Sequence, residues 1–241
     1  MKLFVVSDIH GHYTLLKQAL DEAGFDEKCE EHLFVCCGDL FDRGRENRKV
    51  YDYIRGLPRK VLIKGNHDER LAEIITRRRA DVFDMRHGVD LTLEEFFGLY
   101  AVDTYGVLRV PPGDETAEEL LRFIDSMVDY YETEHYVFTH GFLPLQPGIN
   151  ISVVREDWRQ ATAEDWHHAR FLEWQILYNT QARVPGKTIV CGHRPTTFAH
   201  FFDTKRGMRE SGIFCGNGVI AIDAGTVRTG KVNVLVVEET I

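Results

Sequence analysis

Five short polar motifs in the chain carry side chains of the kinds that bind metal ions and phosphate groups. Each motif follows a short apolar, β-branched run that predicts a strand. In chain order the motifs are Ser7-Asp8-Ile9-His10-Gly11, Gly38-Asp39-Leu40-Phe41-Asp42-Arg43-Gly44, Gly65-Asn66-His67-Asp68-Glu69, His140-Gly141 and Gly192-His193. Open α/β sheets bind ligands beyond the carboxyl ends of their strands, so these loops are expected to converge on one crevice.

The spacing of the motifs supports this convergence. Asp8 and Asp39 are 31 residues apart, and Asp39 and Asn66 are 27 apart, close to the roughly 30 residues of one βαβ unit. Together the motifs supply two carboxylates, three imidazoles and one amide, on Asp8, His10, Asp39, Asn66, His140 and His193. Such an oxygen and nitrogen donor set suits Mn, Fe or Zn. A carboxylate such as Asp39 can bridge two cations, as a two-metal hydrolytic site requires.

Each motif alone has an ordinary structural explanation. Asp and His are common in turns and helix caps, and Gly-Asn-His-Asp by itself is compatible with a simple turn. The complete set, in this order and at successive strand ends, favours a metal site over a group of unrelated turns.

The elements that must position these motifs indicate an α/β protein. The strand candidates are Lys2–Ser7, His32–Cys37, Arg59–Lys64, His135–Thr139, Lys187–Cys191, Gly218–Ile222 and Lys231–Val237. Helical stripes ending at Gly24 and at Gly56 separate the first three runs. This βαβαβ order predicts a parallel sheet, followed by extra or mixed sheets.

The remaining segments are predicted to be mostly helical. Residues 69–134 are expected to form a helical insertion within a single domain covering residues 1–241. A further helix is predicted over Thr162–Thr180, because Thr162-Ala163-Glu164-Asp165 matches a capping box.

Composition excludes several classes of function. The chain has 29 Lys and Arg against 38 Asp and Glu, a formal net charge of −9, which argues against a nucleic-acid binder. No apolar stretch approaches the roughly 18 residues of a membrane-spanning helix. The five cysteines are irregularly spaced and are interpreted as reduced thiols, which predicts a cytoplasmic protein.

Taken together, the five motifs resemble the signature of the calcineurin-like metallophosphoesterases. Asp42-Arg43-Gly44 and Gly192-His193-Arg194-Pro195 most resemble the phosphoprotein phosphatase branch, especially its compact bacterial and bacteriophage members. The resemblance is strongest over residues 1–69 and returns at 136–142 and 187–224. It implies a four-layer sandwich of two central mixed β-sheets flanked by helices.

The resemblance also implies a binuclear centre. The first metal would be held by Asp8, His10 and Asp39. The second would be held by Asp39, Asn66, His140 and His193, with Asp39 bridging. The expected cofactors are two divalent metal ions, with Mn preferred and Fe or Zn as alternatives. Their bridging hydroxide would attack phosphorus directly, without a phosphoenzyme.

Further roles follow from the same resemblance. His67 would be the general acid, with Asp42 orienting it, and Arg43 would clamp phosphate oxygens. Asn66 is also expected to contact substrate. A second phosphate-binding arginine is expected from a later region, where the candidates are Arg155, Arg159, Arg170, Arg183 and Arg194. Arg170 is the residue predicted.

The implied activity is that of a metal-dependent phosphomonoesterase acting on phosphoserine and phosphothreonine in proteins and on small aryl phosphates. The alternative is a symmetrical diadenosine tetraphosphate hydrolase on the same scaffold, and a third hypothesis is a non-catalytic phosphate-binding protein. Asp42 favours the protein phosphatase. Asp68 weakens that assignment, because many phosphoprotein phosphatases have Glu there. The expected partner is a phosphoprotein or small phosphoester, and a monomer is the default.

Overall fold

Two β-sheets pack against each other at the centre of the molecule. The computed structural model describes residues 1–146, 153–174, 182–204, 210–216 and 218–239. Its strands are β1 (Lys2–Val6), β2 (His32–Cys36), β3 (Lys60–Leu62), β4 (Tyr130–Glu132), β5 (Tyr136–Thr139), β6 (Thr188–Cys191), β7 (Phe214–Gly216), β8 (Val219–Ala221) and β9 (Leu235–Glu238).

The first sheet has the order β3-β2-β1-β9 and the second has the order β4-β5-β6-β8-β7. Strands β1, β2 and β3 are mutually parallel, as the βαβαβ spacing predicts, while β9 runs antiparallel to β1. In the second sheet β5, β6 and β8 are parallel, and β4 and β7 are antiparallel edges. Both sheets are therefore mixed, and the predicted α/β class is confirmed.

Alternate residues of each strand face different layers, because side chains along a strand point to opposite faces. In β1, Leu3 and Val5 join Phe138 and Val190 of the second sheet in a cluster between the sheets. The intervening Phe4 packs instead with the helices that cover the first sheet. Burial on both faces explains why these strands are nearly continuous apolar runs.

Helices cover the outer faces of both sheets. They are α1 (Tyr13–Ala23), α2 (Asn47–Gly56), α3 (Asn66–Arg77), α4 (Val82–Arg86), α5 (Val89–Phe97), α6 (Glu115–Asp125), α7 (Ala163–Arg170), α8 (Thr197–Thr204) and α9 (Thr226–Thr229). Helices α1, α2, α3, α5 and α6 share one core with the first sheet. Trp166 of α7 and Ala199 of α8 belong to the core outside the second sheet. The arrangement matches the predicted four layers.

The predicted insertion at 69–134 differs from the structure at both ends. Helix α3 begins at Asn66 and buries Leu71 and Ile74 in the core of the first sheet, and Tyr130–Glu132 forms strand β4. The edge strands β4 and β7 were not predicted. Both lie at the edge of the second sheet, outside the apolar runs that marked the other strands. The expectation of one domain stays a prediction.

The predicted helix at Thr162–Thr180 is shorter in the structure. Thr162 accepts a hydrogen bond from the backbone of Asp165, which confirms the capping box, and α7 ends at Arg170. The later part of the prediction, from residue 175, lies outside the described residues. Among the described residues, no helix combines the length and apolar content needed to cross a membrane.

Candidate active site

The six predicted metal ligands come together where the strands of both sheets end. The Asp39 carboxylate lies 3.7 Å from Nε2 of His10 and 3.5 Å from Nε2 of His140. Oδ1 of Asn66 lies 2.9 Å from Nε2 of His140 and 2.9 Å from Nδ1 of His193. The backbone N–H of His193 donates to the Asp8 carboxylate at 2.9 Å. Loops far apart in sequence therefore form one buried polar cluster.

The loops carry unusual backbone conformations. Eight non-glycine residues in the described chain have positive φ angles, and six of them are predicted site residues: Asp8, His10, Asp39, Asp42, Arg43 and His193. Such conformations cost about 1–3 kcal/mol each and persist only where the surroundings impose them. Their concentration here is evidence for a functional site that is independent of residue type.

Close packing of the loops requires glycine and a buried carboxylate. A side chain at Gly65 would collide with the backbone and carboxylate of Asp39. Asp68 accepts hydrogen bonds from the backbone N–H groups of Asp39 at 2.8 Å, Leu40 at 3.0 Å and Gly65 at 2.9 Å. Asp68 therefore ties the loop after β2 to the start of α3, so its role is to build the site.

Two histidines present a defined ring nitrogen to the cluster. Nδ1 of His10 donates to the carbonyl of Phe41 at 2.9 Å, and Nδ1 of His140 donates to the carbonyl of Cys37 at 2.7 Å. A carbonyl can only accept, so the proton of each neutral ring lies on Nδ1 and the Nε2 lone pair faces the cluster. Burial lowers the pKa of both imidazoles, which favours the neutral, metal-binding form.

The donors form two groups that share Asp39. Ligand atoms of His10, Asp39 and His67 lie within 4.8 Å of one another, as do those of Asp39, His140 and His193. Burial alone would raise the pKa of Asp39, but His140 and His67 outweigh it and hold that pKa below its usual range. An ionised carboxylate between two sets of imidazole nitrogens suits divalent cations, and these residues fit a binuclear centre. His67 joins the first group here, where the resemblance placed Asp8.

A third carboxylate, Asp223, was missed in the sequence. Burial raises its pKa to about 7, and the charge of Asp39 adds to this effect. Burial, followed by the charges of Asp223 and Asp39, likewise raises the pKa of Asp8. Cations would relieve this repulsion. Asp223 follows a predicted strand and precedes Ala224 and Gly225, the same strand-end pattern as the other motifs, so a usable signal was present.

His67 is held by a chain of hydrogen bonds. Its Nδ1 donates to Oδ2 of Asp42 at 2.7 Å, and Oδ1 of Asp42 accepts from Oγ1 of Thr92 at 2.7 Å. Burial acts to lower the pKa of His67, but Asp39 and Asp42 outweigh it and raise that pKa. The expected pairing of Asp42 with His67 is present in the structure. Thr92, on α5, was not identified from the sequence and positions Asp42.

Arg43 lies beside both of these histidines. Its guanidinium contacts Nε2 of His10 at 3.0 Å and Nε2 of His67 at 2.8 Å. Gly88, between α4 and α5, has φ of +81°, and a Cβ there would lie 2.6 Å from the backbone nitrogen of Arg43. The region predicted as an insertion therefore packs directly on the candidate phosphate-binding arginine.

The predicted second arginine, Arg170, has a different environment. Its buried guanidinium donates to Glu69 at 2.8 Å and also to Asp129, and among the described residues it lines neither cleft beside the cluster. Its substrate contact stays a prediction. Arg194, another of the candidates, lines a cleft next to His193. Its Nη1 lies 3.5 Å from Glu173, and its buried Nε has no hydrogen-bond partner among the described residues.

Two clefts of about 440 Å³ each extend from the cluster. Both are lined by Arg43, Asn66, His67 and His193. We call the first the aromatic cleft, after its further residues Phe83, His87, His167 and Phe171. We call the second the arginine cleft, after its further residues Arg194, Phe198 and Arg228. A bound molecule that spans the cluster can therefore occupy space on both sides of it.

Comparisons with known proteins match this arrangement. The family model for calcineurin-like phosphoesterases matches residues 1–225. The bis(5'-nucleosyl)-tetraphosphatase PrpE [asymmetrical] of Halalkalibacterium halodurans is 22% identical over 208 residues, covering 77% of this chain and 80% of that protein. The symmetrical bis(5'-nucleosyl)-tetraphosphatase of Coxiella burnetii is 25% identical over 170 residues, covering 70% of this chain and 52% of that protein. The chain thus spans about half the length of the Coxiella protein.

A solved structure shows the same fold. The cold-active protein-tyrosine phosphatase of a psychrophilic Shewanella species superposes with a TM-score of 0.58 at 17% identity, covering 98% of this chain and 75% of that one. The match of the family model over nearly the whole length agrees with the two packed sheets and the donor set at their strand ends. The chain belongs to the calcineurin-like phosphoesterase family.

Proposed function

We propose that the protein is a metal-dependent hydrolase of dinucleoside polyphosphates, the activity that the sequence suggested as its alternative. The observation that carries the proposal is the pair of clefts that meet at Arg43, Asn66, His67 and His193. A substrate with a nucleoside at each end of a polyphosphate chain has parts to place in both clefts. The names of the relatives from Halalkalibacterium and Coxiella support the same substrate class.

The donor set would hold two divalent cations, with manganese as the proposed ion. Asp8, His10 and Asp39 would contribute to one position, and Asp39, Asn66, His140 and His193 to the other. When bound, the cations supply activation of water and neutralisation of charge on the reacting phosphate. The two histidines with Nδ1 fixed on a carbonyl keep Nε2 available for this purpose.

The chain's own residues bind the substrate and move the proton. Arg43 presents its guanidinium beside the cluster, where it can form paired hydrogen bonds to phosphoryl oxygens. His67 holds its Nδ1 proton against Asp42. Its Nε2 faces the Arg43 guanidinium at 2.8 Å and would donate a proton to the leaving oxygen once Arg43 has turned to the phosphate. Asp42 stabilises the charged imidazolium that this donation requires, and Thr92 keeps Asp42 in place.

A phosphoserine or phosphothreonine phosphatase is the second candidate, and one observation favours it. The buried pair of His67 and Asp42, 2.7 Å apart, is arranged to act as a proton donor. An alkoxide from serine is a poor leaving group and needs such a donor, whereas a nucleoside phosphate leaves readily because its charge is shared among phosphate oxygens. The two candidates use the same centre and differ in how they use the clefts.

The test is one manganese-loaded incubation with equal amounts of diadenosine tetraphosphate and a phosphoserine/phosphothreonine peptide, with products separated by anion-exchange chromatography. Adenine nucleotides as the predominant products would support the proposal. ADP alone indicates symmetrical cleavage, and ATP with AMP indicates asymmetrical cleavage. Predominant free phosphate and dephosphorylated peptide would reject it in favour of the protein phosphatase. A parallel incubation with the variant Asp39→Asn controls for contaminating hydrolases.

A further inference from the structure

We propose that Phe83 and Phe171 clamp a purine base of the substrate between their rings in the aromatic cleft. The inference rests on the proposed nucleotide hydrolase activity and adds the residues that would select a nucleotide. Both side chains line the same cavity of about 440 Å³, a volume within the usual range for small-molecule sites.

The first wall of the cleft is a row of rings that starts at the catalytic centre. The ring of His87 lies 5.8 Å from that of His67, and the ring of Phe83 lies 4.1 Å from that of His87. Phe83 is 65% exposed although it is a large apolar side chain. The wall therefore ends in an aromatic face that is open to solvent.

The second wall repeats this pattern from another part of the chain. The ring of Phe171 lies 6.4 Å from that of His193 and 5.3 Å from that of His167. Phe171 is 48% exposed. Each wall thus leads from a residue of the centre to an exposed phenylalanine, and a planar group between the two rings would cover apolar surface on both.

The charges of the aromatic cleft favour a neutral group over a phosphate chain. Arg70 is the second arginine that lines this cleft. It forms ion pairs with Asp84 at 2.6 Å, with Glu73 at 3.0 Å and with Asp81 at 3.1 Å. Three carboxylates around one guanidinium leave no excess positive charge for phosphates. Phosphates would instead be drawn to Arg43 and to the arginine cleft, so the base is the part of a nucleotide that suits the aromatic cleft.

Stacking between a base and an aromatic side chain changes affinity by about ten- to hundredfold. Stacking is tolerant of base identity because every base has a π-face. The clamp is therefore expected to prefer nucleotides over base-free phosphates without strong discrimination between adenine and guanine.

The test compares the affinities of ADP and of pyrophosphate for the manganese-loaded protein by isothermal titration calorimetry. The wild-type protein is expected to bind ADP about ten- to hundredfold more tightly than pyrophosphate. In the double variant Phe83→Ala/Phe171→Ala the two affinities should converge. Phe83→Tyr, which keeps an aromatic ring, should retain the preference, and Tyr105→Ala is the matched control, since Tyr105 is also exposed and lies outside the residues of both clefts.

Two results would overturn the clamp: equal affinities for ADP and pyrophosphate in the wild-type protein, or an unchanged preference for ADP in the double variant. Circular dichroism of the double variant checks that it is folded. Failure of the proposed function is recognised separately, because it appears as no cleavage of diadenosine tetraphosphate while the phenylalanine-dependent preference for ADP remains. If an apolar phosphopeptide side chain occupies the cleft instead, the wild-type protein shows no preference for ADP, which also rejects the clamp.

Discussion

The two clefts share their inner residues but differ in the chemistry of their outer walls. The aromatic cleft ends in two exposed phenylalanines, and its Arg70 is neutralised by acidic neighbours. The arginine cleft carries Arg228 and Arg194. Arg194 stacks 4.7 Å over the ring of Phe198 and has one carboxylate neighbour, Glu173, at 3.5 Å, whereas Arg70 has three. In a protein of net charge −9, local pairing of charges can thus make two neighbouring clefts differ in polarity, and this is the basis for proposing that one takes phosphates and the other a base.

Arginines that line the arginine cleft act on the carboxylates of the centre. Burial raises the pKa of Asp223, and Arg43 and Arg228 both act against this rise. Positive charge therefore surrounds the ligand cluster on the side where the phosphates are proposed to lie. Variants that act on the centre should affect every substrate, whereas variants in one cleft should affect only substrates that reach it.

The largest effect is expected for Asp39→Asn. This variant disables the centre that both clefts share, so substrates of either cleft should be affected equally. Asp39 is the residue shared by both donor groups, so the variant should lose bound manganese and activity on every substrate. Elemental analysis after gel filtration, together with assays on diadenosine tetraphosphate and p-nitrophenyl phosphate, measures both losses. Asp21→Asn, on the exposed face of α1, is the matched control. A variant that retained both ions would refute the bridging role.

The next effect is expected for His67→Asn, and it should depend on the leaving group. Loss of a general acid lowers turnover by about 10²- to 10⁴-fold. We expect the full loss on a phosphoserine peptide and a smaller loss on diadenosine tetraphosphate. A nucleoside phosphate is a less basic leaving group than a serine alkoxide, so its departure depends less on protonation. Steady-state kcat on both substrates measures the difference, with bound manganese checked in parallel. Unchanged turnover on both substrates would exclude His67 as the acid.

A shift in the pH profile is expected for Asp42→Asn. Burial acts to lower the pKa of His67, and the charges of Asp39 and Asp42 raise it. Removing the Asp42 charge therefore lowers that pKa, so His67 loses its proton at a lower pH. The alkaline limb of kcat should move to lower pH by about one unit. A limb that stays in place, or moves to higher pH, would separate Asp42 from the proton donor.

The most localised effect is expected for Arg194→Ala, which acts on the arginine cleft alone. Loss of a charge-assisted hydrogen bond costs about 1.5–3 kcal/mol, so the KM for diadenosine tetraphosphate should rise by about ten- to hundredfold. The KM for p-nitrophenyl phosphate, which has one phosphate, should rise less. Arg159→Ala serves as the control, since Arg159 is paired with Glu132 away from both clefts. Equal increases for both substrates would contradict a separate site for the distal phosphates.

The centre was predictable from the sequence because its residues follow strands directly. Asp8, Asp39 and Asn66 each come within a few residues of a parallel strand end, and regular spacing places such ends side by side. Asp223 obeys the same rule and could have been found by applying it to the last predicted strand.

The outer walls depend on packing that short-range patterns do not contain. Thr92 and Phe83 reach the site because α4 and α5 pack on Arg43 at Gly88, a contact between segments about 45 residues apart. Arg170 donates a hydrogen bond to Glu69, 101 residues away, and no local sequence motif predicts that pair. Motif spacing thus predicts the residues of the ligand cluster. The residues that line the clefts around it depend on tertiary packing and cannot be read from the sequence.

A crystal structure of the manganese-loaded protein with a non-hydrolysable, methylene-bridged diadenosine tetraphosphate would test the proposed use of the two clefts by observing the bound ligand. The proposed function places the phosphate chain across Arg43 and toward Arg194, with one adenine between Phe83 and Phe171. A nucleotide bound with its phosphates in the aromatic cleft, or bound outside both clefts while the metal ions occupy the centre, would contradict the assignment of the two clefts to one substrate.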